Sequence, residues 1–301
     1  MDSFLPFNQV MPRPTHEGLL HLPGVSLFVR RFGTAGPPVI LIHGGPDWDQ
    51  SYFFPFLAPL AHSCRLIAFD LRGCGRSHKF GDPQHYHIDL VVEDLAQLLA
   101  SLHLERATLL GFSYGGRVAL RFLDRYPSKV SKLILASSTA YDHFADELEQ
   151  WDEYQSRYPQ ALREQVSALW GASSPSPEQR TRQLAELTLP LNIYHLELLP
   201  LVRQVIDQID FSGEWMQAWQ AGRLRGVQHS DYAQRFAALG TPLLILHGEK
   251  DMGFPVAVAK RLAEQVPGAL LTILPQTGHV AHIEATEAWN TAILQFLFKD
   301  E

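Results

Sequence analysis

Cysteine is almost absent from this chain. Cys64 and Cys74 are the only two in 301 residues, too few for a disulfide framework. They flank the predicted strand Arg65-Leu-Ile-Ala-Phe-Asp70, whose extension holds them apart, so both are expected as free, packed thiols in a reducing cytoplasm. Positive charge is also short. The net charge is −7 with no basic block anywhere, which argues against a nucleic-acid partner. No apolar run reaches the length of a bilayer span, and Met1–Val10 lacks the basic start and apolar core of a signal peptide. Repeats and low-complexity segments are missing as well. What remains is a chain with 46% hydrophobic and 19% charged residues, the profile of a globular protein with a large core.

Short apolar runs punctuate the first half: 18–22, 25–32, 38–42, 65–70, 106–110 and 132–137. The run at 25–32 alternates, as a half-exposed strand should. The run Pro38-Val-Ile-Leu-Ile42 is continuously apolar, as a strand covered on both faces should be. Between them, Ile88, Val91, Val92, Leu95, Leu98, Leu99 and Leu102 follow helical spacing. Strand–helix alternation predicts a mostly parallel sheet with helices on both faces. The rhythm stops near Thr139. From 140 to 229 the chain is helix-like, punctuated by Pro159, Pro175, Pro177, Pro190 and Pro200, and carries Trp151, Trp170, Trp215 and Trp219. Strands resume at 242–247 and 270–274, with helices at 256–266 and 285–298. The expected division is therefore a core of 1–139 plus 230–301, with 140–229 inserted as a helical cap.

One pentapeptide carries chemistry. Gly111-Phe-Ser-Tyr-Gly115 follows a predicted strand and opens a predicted helix, the setting in which G-x-S-x-G lifts a serine onto a sharp turn. A serine hydroxyl needs a histidine base, and that base needs a carboxylate to orient it. Asp251 lies in the loop after strand 242–247, and His279 in the loop after strand 270–274. The order Ser113, Asp251, His279 and their places at carboxyl ends of strands fit an acyl-transfer triad. Glu249 reads as a solvated loop charge, His282 as a packing residue and His43 as a neighbour of the site. His85-Tyr-His87-Ile-Asp89 imitates a metal motif but runs straight into a helix, and reads as its N-terminal approach. No metal or cofactor is called for. The oxyanion of an attacked carbonyl needs backbone N–H donors. Tyr114 and Gly45, the latter in His43-Gly-Gly-Pro46, are the candidates.

His43-Gly-Gly-Pro46, Phe69-Asp-Leu-Arg-Gly-Cys-Gly-Arg-Ser77, Gly111–Gly116, Gly248-Glu-Lys-Asp251 and Gly278-His-Val-Ala-His-Ile-Glu284 together resemble the α/β-hydrolase fold over nearly the whole chain. The first two motifs are similar to the proline iminopeptidase branch. That resemblance implies release of an N-terminal proline from a short peptide, its free amine held by cap carboxylates. The chain departs from the branch at Asp47 for glycine, Tyr114 for tryptophan and Trp219-Gln220 for a Trp-Glu pair. Glu214 or Asp47 would have to stand in as the amine anchor. Trp215, Trp219 and Tyr141 are expected to line an apolar acyl pocket. A carboxylesterase acting on small apolar esters, and a non-catalytic ligand-binding relative, are the other readings. For the enzyme readings the expected substrate is a small molecule or short peptide.

Overall fold

The structure, a computed structural model, describes residues 11–141, 143–171, 176–222 and 232–299. The stretch Met1–Val10, Pro175 and the expected boundary at 229/230 lie outside the described residues. A sheet of eight strands forms the spine: β1 (His16–Leu22), β2 (Val25–Phe32), β3 (Pro38–Ile42), β4 (Arg65–Phe69), β5 (Ala107–Phe112), β6 (Val130–Ala136), β7 (Leu243–Gly248) and β8 (Leu270–Leu274). Their order across the sheet is β1-β2-β4-β3-β5-β6-β7-β8. The pairs β1/β2 and β2/β4 are antiparallel, and every other neighbour pair is parallel. β5 and β7 are buried at every residue, which explains their predominantly apolar sequences.

The core helices are α1 (Ala58–Ser63), α2 (Ile88–Ser101) and α3 (Tyr114–Arg125), followed after β6 by a helical stretch and then by α10 (Tyr232–Leu239), α11 (Val256–Gln265), α12 (Ala281–Glu284) and α13 (Thr286–Leu297). α2, α3 and α11 cover one face of the sheet; α1 and α13 cover the other. α2 shows how the sequence achieves this. His87 caps it, its Nδ1 accepting the Asp89 N–H at 3.2 Å, and Val91, Val92, Leu95, Leu98 and Leu99 are all fully buried along one side. Each such side chain contributes about 1.5–3 kcal/mol. The apparent metal motif is thus a helix start.

The stretch between β6 and β7 holds α4 (Ala145–Glu149), α5 (Asp152–Arg157), α6 (Gln160–Gly171), α7 (Pro177–Thr188), α8 (Leu199–Ile206) and α9 (Glu214–Gln220). It leans over the carboxyl ends of the strands. The His279 and Val280 N–H groups both donate to Asn192 O, and the carboxylate of Glu284 accepts the Tyr194 and His195 N–H groups. Cys64 and Cys74 are buried free thiols on either side of β4.

Candidate active site

β5 ends at Phe112 and α3 begins at Tyr114, leaving Ser113 alone at the apex with φ 53° and ψ −120°. Such a conformation costs about 1–3 kcal/mol and persists only where its surroundings impose it. The surroundings do. A Cβ on Gly111 would sit 2.5 Å from Gly115 O, and one on Gly115 would sit 2.0 Å from Ile42 O, so the backbone crosses where no side chain fits. Ser138 Oγ and the Gly116 N–H donate to Ser113 O at 2.6 and 3.0 Å and hold the apex from behind.

His279 Nε2 lies 3.1 Å from Ser113 Oγ, and His279 Nδ1 lies 2.9 Å from both carboxylate oxygens of Asp251. A carboxylate only accepts, so Nδ1 carries the proton and Nε2 offers its lone pair to the serine hydroxyl. Asp251 is fully buried and also accepts the Gly253 and Phe254 N–H groups. Burial works to raise its pKa, yet the charges of His279 and His247 and these donors hold the net value below the ordinary one. The Phe112 and Phe254 rings flank the imidazole at 5.1 and 5.7 Å and limit its swing. The competing groups lie elsewhere. Glu249 accepts the exposed Gln276 N–H, and His282 is buried in an aromatic nest with its ring stacked on Phe53 at 4.5 Å.

Across from the serine, Gly45 has φ +56° and would drive a Cβ to 2.7 Å from Trp48 Cγ. Gly44 N–H donates to the Tyr52 hydroxyl at 2.8 Å, while His43 Nδ1 lies 2.8 Å from Gly44 O and Leu71 N–H donates to His43 Nε2. Burial lowers the pKa of His43 to about 4, so its ring stays neutral in that bridge at neutral pH. Tyr114 opens α3, where a first-turn N–H has no partner within its own helix. Ser113, His279 and Gly45 open into a cavity of about 170 Å³. Its other walls are Trp48, Tyr52, Phe112, Leu189, Asn192, Val202, Val205, Ile206, Val280 and Ile283. Among the described residues, no carboxylate, lysine or arginine lines it.

The model of the alpha/beta hydrolase fold matches residues 37–286. The chain belongs to that family. A proline iminopeptidase of Levilactobacillus brevis is 29% identical to this hydrolase, covering 86% of this chain and 88% of its own. A 2-hydroxymuconate semialdehyde hydrolase of Pseudomonas sp. strain CF600 is 30% identical, covering 87% of each. Among solved structures, an esterase of Thermogutta terrifontis superposes with TM-score 0.70 at 25% identity, covering 96% of this chain and 99% of that one.

Trp215, Trp219 and Tyr141, expected to line the hydrolase's acyl pocket, and Glu214 and Asp47, expected as amine anchors, are not among the residues lining this cavity. Trp219 is 50% exposed and packs on Trp170 at 5.1 Å. Trp215 is buried, but its indole N–H donates to Arg72 O and its ring stands against Tyr86 and Tyr114. The Tyr141 hydroxyl bonds Gln265, and its ring carries the Arg261 guanidinium at 4.0 Å. Glu214 accepts the Tyr86 hydroxyl at 2.6 Å and the Gly81 N–H at 3.0 Å. Asp47 is equally engaged, accepting from Ser212, Trp215 and Met216. Trp215, Tyr141 and Glu214 fasten their stretch to the core, and Asp47 receives that stretch from the core side. Trp219 pairs with Trp170 at the surface, and the aliphatic face of α8 is left to line the cavity. Val202, Val205 and Ile206 at spacing i, i+3, i+4 were the readable signal for that face. Trp48 and Tyr52, close behind the glycine loop, had none.

Among the described residues, no group of three His, Cys, Asp or Glu side chains could hold a metal ion. No helix there is long and apolar enough to cross a membrane.

Proposed function

We propose that this hydrolase cleaves esters of small, neutral, apolar carboxylic acids through an acyl-enzyme on Ser113. One observation carries the reading: the Ser113–His279–Asp251 chain of hydrogen bonds opens onto a largely apolar cavity of about 170 Å³ with no carboxylate in its walls among the described residues. That volume lies below the ~300–1,000 Å³ of drug-sized sites, so it suits a short acyl chain.

In the first half-reaction His279 Nε2 takes the Ser113 proton as Oγ attacks the ester carbonyl. The carbonyl oxygen becomes an oxyanion facing the Gly45 and Tyr114 N–H groups, the term that usually contributes most to such catalysis. Asp251 holds Nδ1–H and steadies the imidazolium. The tetrahedral centre then collapses, and His279 returns the proton to the departing alkoxide, which leaves as the alcohol. In the second half-reaction water gives a proton to His279, attacks the acyl carbon and releases the carboxylic acid, restoring Ser113. The phenyl rings beside His279 exclude bulk water from this exchange.

A second reading, removal of an N-terminal proline, is favoured by the L. brevis relative and by the His43–Pro46 loop. It requires a partner for a buried ammonium, since an unpaired one costs several kcal/mol. Asp47 spends both oxygens on protein donors, and Glu214, whose Oε2 takes the Tyr86 hydroxyl and the Gly81 N–H, is absent from the cavity walls. The test compares p-nitrophenyl acetate and butyrate with proline 2-naphthylamide, for the wild type and Ser113→Ala. Ester turnover that disappears in Ser113→Ala, without naphthylamine release, is the expected result. Proline amide cleavage faster than ester cleavage would replace this reading with the second. No turnover, together with no labelling of Ser113 by a fluorophosphonate, would remove both.

A further inference from the structure

We propose that Asp47 is a positioning residue that locks the oxyanion turn to the segment above it, so that the Gly45 amide is aimed only while α8 and α9 are seated. The inference rests on the acyl-transfer reading. It starts from a conformation. Trp48 N–H donates to Gly45 O at 2.7 Å, closing a four-residue turn over Gly45-Pro46-Asp47-Trp48. Pro46 holds the second position, and Asp47 holds the third with φ +75°. That is the type II pattern, whose third position favours glycine. An aspartate in that place is strained unless something beyond the turn holds it.

The holding contacts reach more than 160 residues along the chain. Asp47 is 2% exposed. Its Oδ1 accepts the Ser212 hydroxyl at 2.6 Å and the Trp215 N–H at 2.9 Å, and its Oδ2 accepts the Met216 N–H at 2.8 Å. Its main-chain oxygen accepts the Ser212 N–H at 2.9 Å. Two residues on, Asp49 accepts the Asp210 N–H at 2.9 Å. Between them, Trp48 packs edge-on against Phe211 at 5.5 Å and lies over Gly45. Residues 47–49 and 210–216 are therefore fastened in step. The helix just upstream of the fastened segment is α8, whose Val202, Val205 and Ile206 form the acyl wall.

The acyl wall and the oxyanion donor thus move as one body. A bound acyl group that presses on α8 acts, through 210–216 and Asp47, on the peptide that must receive the developing charge. A residue that only capped α9 would stabilise the fold and leave the chemical step alone. A positioning residue changes the step itself, and displacement of a catalytic group by 1 Å costs about a hundredfold.

The experiment uses the full chain and three substitutions: Asp47→Gly, which keeps the turn and removes the carboxylate, Asp47→Asn, and Ser212→Ala, which removes one donor. The readouts are kcat and KM for p-nitrophenyl butyrate, the rate constant for fluorophosphonate labelling of Ser113, and Tm. For Asp47→Gly, kcat and the labelling rate should fall together, by about ten- to a hundredfold, with KM within threefold of wild type. Asp47→Asn should fall between glycine and wild type, because one carboxyl-side acceptor survives. Ser212→Ala should show the smallest fall, in the same two quantities. A lowered Tm with wild-type kcat and labelling rate in Asp47→Gly would overturn the inference. If that variant does not fold, the same outcome in both Asp47→Asn and Ser212→Ala overturns it equally. A wild-type protein that labels but hydrolyses no ester would refute the substrate reading and leave the labelling comparison to judge Asp47.

Discussion

Replacing His282 with leucine should make the protein less sensitive to acid by a calculable amount. His282 is fully buried three residues beyond His279, and neither ring nitrogen makes a well-formed hydrogen bond among the described residues, the Tyr52 backbone being its one polar neighbour of consequence. Phe53, Phe112 and Tyr52 surround it at 4.5, 5.1 and 5.6 Å. Burial, opposed in part by the Tyr52 backbone and reinforced by the neighbouring charge of His279, lowers its pKa from 6.5 to about 3. Between those two values the unfolded chain binds a proton here that the native chain refuses. Stability contributed at this site is therefore complete above pH 6.5 and drains as pH falls toward 3. At about 1.36 kcal/mol per unit, the 1.5 units from pH 6.5 to 5.0 remove about 2 kcal/mol. The wild-type curve alone cannot isolate this effect. His43, lowered to about 4 by burial, loses stability over the same window. Asp70, raised to about 6 by burial, gains it. The difference between wild type and His282→Leu cancels both. Urea unfolding followed by tryptophan fluorescence at pH 7.5 and 5.0 should show that difference shifting by about 2 kcal/mol in favour of the variant. An identical difference at both pH values would mean that His282 does not titrate as a buried neutral ring, and the reasoning fails.

Two further outcomes follow from the cavity. Ile206→Phe fills part of the acyl wall, so kcat/KM for p-nitrophenyl butyrate should drop at least about tenfold more than for acetate, in keeping with ~1–3 kcal/mol per methylene of pocket mismatch; equal losses on both esters would place the acyl chain elsewhere. Trp219→Ala and Glu214→Ala remove residues outside the cavity, so steady-state kinetics should show KM for a neutral ester and for a free-amine substrate changing in parallel. A selective rise for the amine in Glu214→Ala would restore that carboxylate as a substrate contact.

Relatives by name include a peptidase and a hydrolase of a semialdehyde, so membership of the family does not by itself set the substrate. Specificity depends on what faces the serine. In this chain that surface is the aliphatic stripe of α8 and the Trp48–Tyr52 corner. Trp215 and Glu214 of the inserted stretch serve instead as fasteners to the core.

The sequence by itself determined the strands, the order Ser113, Asp251, His279 and the glycine elbow. These are local matters. A buried parallel strand must be apolar throughout, an elbow must have glycines where backbones cross, and each site residue must follow its strand directly. Those rules act over a few residues, so they are written in adjacent letters. Tertiary structure alone decided which side of the inserted helices faces the serine, because both an aromatic and an aliphatic stripe were available there. The choice was made by contacts spanning more than a hundred residues, Glu214 to Tyr86, Trp215 to Arg72 and Asp47 to Ser212. A polar group buried by folding must find its partner wherever the chain brings one, and in this protein that requirement turned Trp215 and Glu214 away from the site.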